Sequence, residues 1–142
     1  MVTINISGKE YELFYNTKAM LAIEKRCGDM SKFAEWLTGN GIKEQTEKIV
    51  QVLIDLINGA IYKHNAEIFW GFVHGEQKKF IEPAQESEFY EMILCLADRK
   101  QLQSYESAIV TAMNGGTAVI LPEGVPEPDP DLLDVESKKK ES

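Results

Sequence analysis

Basic charge is in short supply in this chain of 142 residues. Fifteen Lys+Arg stand against 23 Asp+Glu, giving a net charge of −8. Binding to nucleic acid through phosphate neutralisation needs the opposite balance, and adsorption to anionic lipid is disfavoured for the same reason. Long apolar runs are also missing. None approaches the ~20 residues of a membrane-spanning helix, and the opening MVTINISGKE lacks both the basic and the apolar regions of a secretory signal. The expected location is the cytoplasm. Cysteine and histidine are scarce, at two each. Cys27 and Cys95 lie among apolar neighbours and read as free, buried thiols. His64 and His74 lack the companions of a metal site, which needs three or four convergent ligands.

Catalytic signatures are absent as well. The sequence has no Gly-x-Ser-x-Gly elbow and no phosphate-binding Gly-x-x-x-x-Gly-Lys loop. Gly39 and Gly41 do not follow an expected strand, so they do not form a dinucleotide fingerprint. Asp55 lies on an apolar segment, and the commoner fate of such a residue is a solvent edge or a cap rather than a buried acid of shifted pKa. Glu86, Glu88 and Glu91 crowd an expected helix start, where the helix dipole favours acids. The Asn5-Ile6-Ser7 sequon falls in an expected strand of a cytoplasmic chain and reads as chance. Neither an enzyme nor a cofactor-binding protein is expected.

What is present is a pattern of elements. Val2, Ile4 and Ile6 alternate with polar residues, Ser7-Gly8-Lys9 supplies a turn, and Tyr11, Leu13 and Tyr15 alternate again. This predicts a β-hairpin, whose apolar face must be covered because two strands alone are barely stable. Asn16 or Thr17 caps a helix over 17–27, with Met20, Ile23 and Cys27 on one face and Gly28 at its end. A short helix over 32–37 turns Phe33, Trp36 and Leu37 inward. The helix over 43–64 is apolar on more than one side, which fits a central position or an interface. Asn58-Gly59 within it predicts a kink or a close crossing.

Residues 65–81 show no clean period and read as loop or short irregular elements. Pro83 suits the first turn of a helix over 84–97, carrying Phe89, Met92, Ile93 and Leu96. Asp98 caps a last helix over 99–113, with Leu102, Tyr105, Ile109, Ala112 and Met113 inside. The expected fold is α+β, mainly α: a hairpin followed by a bundle of about five helices over residues 1–114. Residues 115–142 hold four of the five prolines and seven acids against three lysines. That composition predicts a disordered acidic tail.

Two features suggest partner binding. Phe69, Trp70 and Phe72 cluster in the aperiodic segment, and aromatics concentrated in a loop either plug a bundle end or anchor an interface. The helix over 43–64 carries more apolar residues than a bundle of this size needs to bury, which suggests a groove or a self-association face. The partner-binding candidates are therefore Trp36, Leu53, Ile57, Ile61, Phe69, Trp70 and Phe72.

The segments Ile4–Leu13 (INISGKEYEL) and Thr17–Gly28 (TKAMLAIEKRCG), with Asn58–Glu67 and Ala112–Gly116, resemble tail assembly chaperones of long-tailed bacteriophages and prophages of low-GC Gram-positive bacteria. The resemblance spans residues 1–116; Phe69-Trp70 is bulkier than the family pattern. It implies a non-enzymatic protein that coats the tape measure protein, recruits tail tube subunits and is absent from the finished virion. It also implies a longer frameshifted product, for which Lys138-Lys139-Lys140 marks a candidate slippery stretch. A different class, an acidic regulatory or inhibitor module such as an antitoxin or DNA mimic, would need acids arrayed on one face. The 16 acids and 12 bases before residue 115 are too balanced for mimicry.

Overall fold

The computed structural model describes residues 2–71 and 79–115. The expectations about Phe72, His74 and the acidic tail concern residues outside this range. Strands β1 (Val2–Ile6) and β2 (Lys9–Leu13) pair antiparallel, with Ile4 opposite Tyr11 and Ile6 opposite Lys9. Helices α1 (Thr17–Cys27), α2 (Phe33–Thr38), α3 (Ile42–Phe69), α4 (Glu86–Leu96) and α5 (Arg99–Met113) follow, with one 3₁₀ turn at Met30–Lys32 before α2. The mainly α, hairpin-plus-bundle reading holds.

Local chemistry accounts for most element boundaries. Ser7 and Gly8 both take positive φ, 52° and 96°, the backbone of a two-residue turn whose twist suits a hairpin. The Asn5 side chain accepts from the Gly8 N–H at 2.8 Å and braces that turn. Lys9 already belongs to β2, so the turn is one residue shorter than the sequence pattern suggests. Asn16 caps α1 by accepting from the Ala19 N–H at 2.9 Å. Asp98 and Gln101 form a reciprocal capping box at the start of α5.

Helix α3 is the axis of the molecule, touching β2 and all four other helices. Ile49, Val50, Val52, Leu53, Ile54, Leu56 and Ile57 are all buried. Each such side chain contributes roughly 1.5–3 kcal/mol of burial free energy. The apolar surplus on this helix is thus the result of central packing, and no free interface stripe remains over these seven residues.

Two boundaries differ from expectation. Helix α3 runs on to Phe69 through residues that seemed irregular. Positions 61–68 are half-buried on every side, so the apolar stripe fades although the helix continues, and Lys63 supports it through an i,i+4 ion pair with Glu67 at 2.8 Å. At the other boundary, α4 begins at Glu86 and not at 84, leaving Pro83 in the preceding chain. Asn58 holds the backbone of Ala84 at both its N–H (2.7 Å) and its C=O (3.4 Å), so those groups are engaged by a side chain and not by a helix.

Gly59 resolves the choice between kink and crossing in favour of a crossing. A Cβ at Gly59 would overlap the carbonyl oxygen of Phe14 and press on Ala19 Cβ and Asn16 Oδ1 at 3.1 Å each. The Phe14 N–H donates to the Leu56 carbonyl at 3.0 Å, and Asn16 Nδ2 donates to the Gly59 carbonyl at 3.0 Å. The hairpin exit and the α1 cap are therefore seated directly on the α3 backbone.

Gly59→Ala would normally strengthen a helix by ~1 kcal/mol. Here it should destabilise the protein by about 2 kcal/mol or more, because the methyl displaces the Phe14 peptide. Urea unfolding of the two forms measures the difference, and a neutral or stabilising result would contradict the crossing.

Candidate partner-binding groove

A second set of side chains on α3 organises the return segment. His64 Nε2 lies 2.7 Å from the Lys79 carbonyl. Asn65 takes both backbone groups of Ile81, donating to its C=O and accepting from its N–H at 2.9 Å each. With Asn58 on Ala84, these residues hold chain 79–84 along α3 much as a neighbouring strand would. The sequence offered residue types able to do this, but only the fold shows which backbone they meet.

Between this segment, α3, the first turns of α4 and strand β2 lies a groove of about 580 Å³. That size falls within the range of ligand pockets. Ile57, Ala60, Ile61, Phe89 and Met92 supply its apolar lining. Glu10, Glu12, Glu82 and Glu88 stand around it, with Lys9 as the one lysine. None of these four carboxylates has an ion-pair partner among the described residues. Tyr11 meets Phe89 edge-to-face, ring centroids 5.4 Å apart, and so ties β2 to α4.

The sequence-derived candidates divide sharply. Phe69 and Trp70, at the C-terminal end of α3, are 69% and 65% exposed and contact each other edge-to-face at 4.6 Å. Ile61 is half-buried and lines the groove; Ile57 lines it from beneath but is only 2% exposed. Leu53 is fully enclosed, so its side chain is a core residue and not a contact surface. Trp36 lies apart from the groove, half-buried against Phe33, with the Lys48 ammonium 4.9 Å from its ring centre. Phe72 is outside the described residues. Sequence reading missed Phe80 and Ile81, which are exposed on the return segment that His64 and Asn65 hold, and the groove carboxylates. Glu10 and Glu12 were visible as the polar phase of β2, but nothing local distinguishes a groove wall from an ordinary wet face.

Asp55 is buried, contrary to the expected solvent edge, and it meets Arg26 in a bidentate pair: Nε–Oδ2 at 2.7 Å and Nη2–Oδ1 at 3.1 Å. Nη2 also reaches Glu86 at 3.0 Å, so one guanidinium joins α1, α3 and the first residue of α4. Glu86 thus has a specific partner beyond the helix dipole. Burial pushes the Asp55 carboxyl above its ordinary value, with Arg26 pulling it back, while the bond to Asp55 holds the Arg26 guanidinium more firmly charged. Both cysteines are free as expected, but Cys95 is exposed and Cys27 half-buried. Desolvation raises the Cys27 thiol, which disfavours the reactive thiolate.

Among the described residues no group of three His, Cys, Asp or Glu could hold a metal, and no helix is long and apolar enough to cross a membrane. Comparisons with protein-family profiles, with curated proteins and with solved structures gave no match.

Removing Arg26 leaves Asp55 buried without its cation. Arg26→Leu should cost about 3 kcal/mol at pH 7. A carboxyl whose folded pKa lies above its unfolded one contributes stability below the unfolded value and loses it as pH rises through the folded value. The penalty should therefore shrink as pH falls from 7 towards about 4, and Asp55→Asn in the same background should remove much of it. A penalty independent of pH, measured by denaturation across that window, would contradict the buried pair.

Proposed function

We propose that this chain is a tail assembly chaperone of the low-GC Gram-positive siphophage type. In this reading it binds the tape measure protein in the bacterial cytoplasm, brings tube subunits to it and leaves as the tube closes. The reading rests on the residue resemblance over 1–116 and on one structural observation. Phe69 and Trp70 are exposed at the end of α3, Phe80 and Ile81 are exposed on the return segment held by His64 and Asn65, and Ile81 also lines an apolar groove with acidic sides.

A tape measure protein is a long amphipathic chain whose apolar stripes aggregate when uncovered. A small protein can cover such stripes reversibly if it carries compact apolar surface outside its own core. The net charge of −8 would keep the assembly apart from its neighbours. Aromatic side chains at the end of a rigid helix bury much area for little lost rotamer freedom, which suits anchors that must later let go. The same reading makes the chain the short product of a frameshifted gene. An adenine-rich coding run at codons 138–140 with an overlapping onward frame would support that part.

Co-expression with the tape measure protein encoded nearby tests the proposal. The intact chain should hold the tape measure in the soluble fraction. Phe69→Ser with Trp70→Ser, both at exposed positions, should leave the far-ultraviolet circular dichroism unchanged yet sharply reduce the soluble tape measure. A tape measure that stays insoluble beside the intact chain would contradict the proposal.

A further inference from the structure

The two edges of the hairpin are not equivalent. In a two-residue hairpin the pair flanking the turn, here Ile6 and Lys9, exchanges backbone hydrogen bonds, and pairs then alternate along the ladder. The N–H and C=O groups of Thr3 and Asn5 therefore point away from β2, and those of Glu10 and Glu12 point away from β1. On the β1 side, α5 packs against the strand and the Tyr105 hydroxyl donates to the Asn5 carbonyl at 3.0 Å. On the β2 side α3 packs against the strand, but no backbone partner meets Glu10 or Glu12 among the described residues, and both line the groove.

We infer that the outer edge of β2 accepts an extended polypeptide segment of a partner, added as a third strand, with Lys or Arg alternating with apolar residues. The inference concerns how a partner docks and stands whether or not the chaperone reading holds. Every second side chain of such a strand would face the same way as Tyr11 and Leu13, towards Ile57, Ala60, Ile61 and Phe89. The intervening side chains would flank Glu10 and Glu12, whose opposite neighbours in β1 are uncharged Asn5 and Thr3. Opposite charges across a strand pair stabilise it, and Glu82 and Glu88 add to the same field.

Charge also rejects the other occupants. Antiparallel addition of a second copy's β2 centred on Tyr11 would set Glu10 against Glu12 and repel. The chain's own residues 115–142 hold seven acids against three lysines and bring mostly the wrong sign.

The test uses the full chain and five synthetic peptides: an alternating Lys/Val decapeptide, two versions of it N-methylated at every second residue along one edge or the other, a Glu/Val decapeptide, and a helix-forming Lys/Leu amphipathic peptide. The first should bind saturably by isothermal titration and slow amide exchange at Glu10 and Glu12, which exchange quickly in the free protein. N-methylation on the bonding edge should weaken binding about tenfold or more, whichever of the two edges is the one that costs. Glu10→Lys with Glu12→Lys should weaken binding of the Lys/Val peptide similarly and switch preference to a Glu/Val peptide, which also shows that the variant is folded. Three results would overturn the inference: no binding of the alternating peptide, equal binding of the peptides methylated on either edge, or tighter binding of the helical peptide without slower exchange at Glu10 and Glu12.

Discussion

The close seat of the hairpin exit on α3 is the contact on which the remaining architecture depends. Phe14 gives its N–H to the Leu56 carbonyl and lays its own carbonyl over the bare Cα of Gly59, while Asn16 joins the Gly59 carbonyl to the first turn of α1. A two-stranded hairpin has little stability of its own. Here it gains a fixed position because backbone meets backbone, a contact open only to glycine. Once Phe14 is placed, the inner face carrying Ile4, Ile6 and Leu13 lies buried in the common core, α1 starts at a set angle, and β2 forms a wall of the groove.

Two sets of carboxylates among the described residues contrast in their physics. Asp55 is buried and survives because Arg26 meets it with two hydrogen bonds while also holding Glu86. Glu10, Glu12, Glu82 and Glu88 surround the groove with no ion pair among the described residues. The first class fixes three helices relative to one another. The second leaves a negative potential beside apolar side chains, a combination that selects partners by sign as well as by shape.

Much of the fold was legible because it is set by local rules. Alternation revealed the hairpin, side-chain oxygens at Asn16 and Asp98 marked two helix starts, and Gly28 marked one helix end. What escaped depended on partners distant in sequence. The continuation of α3 past 64 lacks an apolar stripe because its neighbours there are backbone groups held by His64 and Asn65. Burial of Asp55 is intelligible only with Arg26, 29 positions away. The apolar excess of α3 suggested a surface at Leu53 and Ile57, whereas a helix in contact with every other helix uses that excess internally. Of the proposed contact residues, Phe69 and Trp70 are exposed, because at the end of α3 there is little core left for them to enter.

Hydrogen exchange at the Phe14 amide tests the central contact most directly. This amide lies outside both strands and at no helix end, so a loosely attached linker would exchange it within seconds to minutes. If the hairpin exit is locked onto α3, its protection should match that of the slowest amides around Val52–Leu56 and be lost only in global unfolding. Fast exchange at Phe14 with slow exchange in α3 would show that the hairpin moves independently of the helix, and would contradict a locked seat at Gly59.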